Sequence, residues 1–186
     1  MGRRLLSCAF ALFLLALPAA SGGAEPSRSQ QAATAPEHPL DQLGWLVGGV
    51  WTAEEPSDQG PPLVVHLACN WSGTRNALLF HVTFLSQGHE TPQYDGMYVW
   101  HPGKQKFVLW QVNRKGEVAE GELTISGKEM DQTVHVAHLD GSEHFLKAHY
   151  TLIDDNAFRF KAQFRPSESA PWQEALDLVY KRQQGH

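Results

Sequence analysis

The 186-residue sequence is short of thiols, of cations and of long apolar runs, and each shortage excludes something. Its two cysteines are Cys8 and Cys69. Cys8 lies in an N-terminal leader, so Cys69 is left alone in the mature chain, no internal disulfide is available, and the domain relies on its core. Between Ala68 and Asn70, Cys69 reads as a small buried hydrophobe rather than a reactive thiol. Lys and Arg number 15 against 20 Asp and Glu; loss of Arg3 and Arg4 with the leader takes 15 to 13 and the formal charge from −5 to −7. Such a chain, with no Lys/Arg stripe, repels phosphate backbones, which argues against nucleic acid as a partner. Beyond the leader no apolar run approaches the roughly 18 residues of a membrane helix, so a soluble mature chain is expected, as a monomer or weak homodimer. Enzyme motifs are missing too: there is no Gly-x-Ser-x-Gly elbow, no phosphate loop and no His-Glu-x-x-His. No catalytic residue and no metal site can be assigned from motifs.

What is present begins with an address. Arg3 and Arg4 precede an apolar run from Leu5 to Leu17, followed by small residues from Ala19 to Ala24. That order of basic, apolar and small segments predicts a signal peptide over residues 1–24, and hence an exported protein, periplasmic or extracellular. Cys8 stands before most of the apolar run, whereas a lipid-modified cysteine would follow it. Residues 25–38, EPSRSQQAATAPEH, lack apolar periodicity and read as a disordered tether.

From Pro39 the texture changes. PLDQLGWLVG gathers Leu40, Leu43, Trp45, Leu46 and Val47, with Asp41 near its start and Gly48-Gly49 at its end, which predicts a helix of about two turns stopped by glycine. The remainder alternates in short segments. AFRFKAQF is the clearest: Phe158, Phe160, Ala162 and Phe164 take one face, and Arg159, Lys161 and Gln163 the other. Comparable segments lie near 49–55, 63–71, 74–86, 91–100, 105–113, 116–126, 130–139, 143–153 and 172–182, separated by turn residues such as Gly73, Gly88, Pro102-Gly103, Gly116, Gly127, Asp140-Gly141 and Asn156. About ten strands without helical crossovers form an antiparallel meander, and closure removes its edges. The expected fold is all-β, one up-and-down barrel over residues 39–186 with a short N-terminal helix plugging one end.

Gly49-Val50-Trp51 resembles the Gly-x-Trp entry to the first strand of lipocalins and related calycin barrels. Across LGWLVGGVW, QYDGMYVWHPGKQKFVLW and PWQEALDLVYKR the chain is similar to bacterial calycin-like domains of unknown function. The resemblance implies that Trp51 packs beneath a basic residue of the last strand, Arg182, with Trp45 completing the closed end. More distantly the chain resembles nitrobindin-type haem-binding barrels, from which it departs at Ala53, where those continue with a second glycine. No cofactor is expected on the residues themselves; haem is the alternative that this second resemblance implies, with His135 or His144 as the axial imidazole.

Two groups of residues could carry function. If the HPGK turn is tight, Tyr94, Tyr98, Trp100 and Phe107 share one face of a hairpin, and Tyr150, Phe158 and Phe160 add aromatic surface. This face reads either as a ligand pocket or as ordinary core. Four of the ten histidines lie in VHVAHLDGSEHFLKAH. His135 and His138 are three apart, on opposite faces of a strand. A two- or four-residue loop at Asp140-Gly141 would place His135 and His144 on one inner face, without the third ligand that zinc requires. Glu117, Glu120 and Glu122 read as a solvated face. The leading expectation is therefore a barrel holding a small apolar or amphipathic molecule. The rivals are an enzyme using His135 and His144 on a lipid or carotenoid-like substrate, and a structural domain with a filled core.

Overall fold

The structure is a computed structural model, and it describes residues 38–57 and 60–183. The leader and residues 25–37 of the tether lie outside the described residues. From Pro39 to Leu46 the chain forms a 3₁₀ helix. Three residues per turn stack Leu40, Leu43 and Leu46 on one edge, and all three are buried. His38, the last residue assigned to the tether, caps this helix: its Nδ1 accepts from Leu40 N at 3.3 Å, while its own N–H donates to Asp41 Oδ2 at 3.1 Å. Gly48 and Gly49 then reverse the chain at φ 89° and 71°.

Ten strands follow: β1 (Val50–Glu55), β2 (Leu63–Trp71), β3 (Leu78–Ser86), β4 (His89–His101), β5 (Lys106–Asn113), β6 (Val118–Ser126), β7 (Glu129–Ala137), β8 (Glu143–Asp154), β9 (Ala157–Arg165) and β10 (Gln173–Gln183). Each pairs antiparallel with its neighbours in sequence, and β1 pairs with β10 to close the barrel. The all-β meander read from alternation and turn residues is thus the observed fold. Among the described residues no helix is long and apolar enough to cross a membrane.

The two ends of the barrel differ. At one end, the β1–β10 register sets Trp51 opposite Arg182, so both side chains share a face. The Arg182 guanidinium lies 4.0 Å from the Trp51 ring centre and donates to the carbonyls of Trp45 (2.5 Å), Val47 (2.7 Å) and Gly48. Trp51 Nε1 in turn donates to Leu46 O at 2.9 Å, and Arg75 reaches Asp41 from the β2–β3 turn. These bonds pair the carbonyls that the helix end would otherwise leave open. Beneath them Trp45, Trp51 and Phe158 pack edge to face at 4.9–6.2 Å, and Phe158 stacks on Tyr180 at 4.7 Å. Cys69 is buried nearby; burial pushes its thiol up to about 12, against the pull of Arg182, so it is inert at neutral pH.

Replacing Arg182 by Met keeps the apolar stem and removes the donors. The expected cost is about 2–3 kcal/mol, because several charge-assisted bonds to half-buried carbonyls go together; urea unfolding measures it, and an unchanged midpoint contradicts the account. Gly49→Ala should also destabilise, since a Cβ there would stand 2.8 Å from Gln183 O in a left-handed backbone conformation.

Candidate functional site

The helix and the aromatic cluster fill one half of the barrel, and the other half is open. It holds a cavity of about 350 Å³. The wall is mostly aliphatic and aromatic: Val65, Leu67, Phe80, Val82, Phe84, Val134, Leu146, Phe160, Leu176 and Leu178 are among its residues. Strand alternation aims them inward, and Gly96 adjusts one wall, because a Cβ there would run into the Phe80 ring and meet Trp110 O at 2.8 Å.

At the inner end, side chains from three strands meet. Tyr98 of β4 and Tyr150 of β8 both donate to Gln132 Oε1 of β7, at 3.4 and 3.5 Å. All three line the cavity and are buried. Burial drives both phenols well above their ordinary range, so they remain neutral donors across physiological pH.

Toward the mouth lies a second polar group, a hydrogen-bonded chain. Asn113 Nδ2 donates to Glu117 Oε2 at 2.5 Å, Glu117 Oε1 binds His138 Nδ1 at 2.9 Å, and His138 Nε2 lies 2.6 Å from His144 Nδ1. His144 lines the cavity. If His138 gives its Nδ1 proton to Glu117, its Nε2 must accept from His144 Nδ1–H, which leaves His144 Nε2 as an acceptor. One added proton reverses this order. Burial, and then the neighbouring His138, hold the His144 imidazole below the usual histidine range, with Glu117 opposing them. The four residues form a chain, with each ring nitrogen of His138 spent on a neighbour. Among the described residues no group of three or more His, Cys, Asp or Glu could hold a metal ion.

Of the residues singled out in the sequence, Tyr94, Tyr98, His144, Tyr150, Phe158 and Phe160 line this cavity. Trp100 and Phe107 do not. They face inward and pack edge to face at 5.0 Å, but they flank the β4–β5 turn at the plugged end. Alternation assigns a face and says nothing of depth along the barrel. His135 is a correction. The β7–β8 loop has five residues, pairing Ala137 with Glu143 and Val136 with His144, so His135 and His144 fall on opposite faces. His135 stacks on Phe145 at 5.1 Å outside the barrel and pairs with Glu143 at 3.1 Å. The same register brings His138 to His144, a contact the expected loop lengths concealed. Glu117, read as solvated, anchors that contact.

No family model and no curated sequence matches the chain. Among solved structures, the chain is similar to that of EF1p2_mFAP2b bound to DFHBI, at 10% identity and a TM-score of 0.39, over 77% of this chain and 99% of that one.

The pH behaviour of His144 is testable. Its folded pKa is depressed, so between that value and the unfolded value near ~6.5 the unfolded chain binds more protons. Its contribution to stability is therefore complete above the unfolded value and is lost as pH falls through the folded one. NMR titration should place His144 below an ordinary histidine, and Glu117→Gln should lower it further by removing the opposing charge. A His144 titrating at or above the ordinary value contradicts the geometry.

Proposed function

We propose that the chain is an exported binding barrel that holds a small apolar or amphipathic molecule in its open half. The cavity supports this reading most strongly. At about 350 Å³ it is comparable with small-ligand sites, which span roughly 300–1,000 Å³, and its walls are apolar with a few convergent polar groups. The leader-like start of the sequence supports export. On this reading Tyr94, Phe158 and Phe160 supply apolar contact, Tyr98, Gln132 and Tyr150 orient the inner end of the ligand, and His144 meets its outer end.

The hydrogen-bonded chain from Glu117 through His138 favours one second reading, an enzyme in which His144 is an oriented acid or base toward a lipid-like substrate in the cavity. In that case His144→Ala abolishes a turnover found by substrate screening and spares binding. Turnover that persists in the variant removes this reading.

The binding reading is tested by comparing the native and denatured masses of the purified protein. A discrete excess that disappears on denaturation is expected; coincident masses after incubation with apolar extracts of the source cells contradict binding. Haem, the alternative on His144, declares itself in the same sample by its mass and visible absorption. Ala148→Phe, which adds a ring beside Gln132 in the cavity wall, should remove the excess and change stability by less than about 1.5 kcal/mol, because the space is already there.

A further inference from the structure

The inner end of the cavity is chemically more selective than its apolar walls. Tyr98, Tyr150 and Gln132 carry four polar hydrogens between them, one on each phenol and two on the amide. The two phenols are hydrogen-bonded to one another, and two further contacts join them to Gln132 Oε1, at 3.4 and 3.5 Å. Both are long against the ordinary 2.7–2.8 Å or so of an O–H···O bond. In these contacts Gln132 uses its oxygen and neither of its amide hydrogens, and contacts to it this long yield readily to an added acceptor, because a poorly paired buried polar group is costly. The shared Gln132 oxygen also keeps the two phenols converging on one point, so a single ligand oxygen can reach more than one donor.

Charge narrows the choice further. Among the described residues that line the cavity there is no Lys or Arg, and the carboxylate present is that of Glu55, at the end of β1 beside the mouth. An anionic headgroup taken to the inner end would be buried without a counter-ion, and a cationic one would meet neutral oxygens, Gln132 Oε1 already shared by both phenols, and no carboxylate; both carry the desolvation cost of an unpaired charge. We propose that the cavity selects an uncharged ligand bearing an oxygen acceptor, a ketone, ester, aldehyde or alcohol, with that oxygen on Tyr98, Tyr150 and Gln132 and its hydrocarbon body along Val134, Leu146 and Phe160.

This inference rests on the binding reading above, and the test separates the two. Calorimetric titration at pH 8 with decanol, methyl octyl ketone, decanoate and decylammonium holds chain length fixed and varies the headgroup. The neutral pair should bind at least about tenfold more tightly than either ion. The double variant Tyr98→Phe/Tyr150→Phe should lose about tenfold for decanol and leave decanoate unchanged. Gln132→Leu is the second variant, should the double variant fail to fold. Decanoate or decylammonium binding as tightly as decanol overturns the inference and leaves a binding barrel in place. If none of the four binds while the native mass shows a resident molecule, the inference fails alone. If neither experiment finds a ligand, the binding reading fails with it.

Discussion

The structure depends on Arg182. It lies in the last strand, opposite the tryptophan of the first, and so sits at the seam where the barrel closes. From there one guanidinium covers the Trp51 ring and binds the carbonyls of Trp45, Val47 and Gly48. Strand closure and helix docking are thereby one event. Without the cation, the end of the helix would present unpaired carbonyls to an apolar floor, and the glycine reversal at Gly48-Gly49 would have nothing to fold against. The planar fork of arginine suits three acceptors and a ring face at once, and a lysine would not replace it.

That one-sided closure explains the uneven interior. A barrel of ten strands encloses more space than its own inward side chains fill at both ends. Here the helix contributes Leu40, Leu43 and Leu46 to one half, where Trp45, Trp51, Phe158 and Tyr180 complete a ring-to-ring core. The opposite half receives no such insert. Smaller side chains such as Ala148, Ala162 and Ala175 stand in its wall, and the cavity is the remaining volume. The polar trio of Tyr98, Gln132 and Tyr150 marks the boundary between the filled and open halves. The Glu117–His138–His144 chain lies nearer the solvent.

The sequence made the fold legible because alternation and turn residues are local signals. AFRFKAQF declares its buried face within eight residues, and the leucines at positions 40, 43 and 46 declare a helical edge, though not that its turns are of the tighter 3₁₀ kind. The site was legible only in part. Trp100 and Phe107 have the parity of cavity residues but the depth of core residues, and depth is a property of the whole barrel. His135 is set on the face of His144 by an error of one residue in loop length, which reverses the face of every side chain on a strand, whereas His144 does face the cavity. A local signal could have corrected this: in EMDQTVHVA the row Met130, Val134 and Val136 is more apolar than Thr133, His135 and Ala137, so the even positions face inward. The same row contains Gln132, a polar residue in an apolar series, which marks the cavity floor. That Tyr98 would meet it from 34 residues away is a long-range fact that no local pattern carries.

The central claim is that one half of the barrel is built to receive a ligand and the other is built to be full. Methyl-resolved NMR of the protein with decanol tests it most directly. The account predicts intermolecular nuclear Overhauser contacts from the ligand chain to the methyl groups of Val82, Val134, Leu146 and Leu176, and none to Leu40 or Leu43. Contacts confined to the exposed methyl groups of Leu139, Ile153 and Val179, or contacts reaching the leucines of the helix, would contradict it.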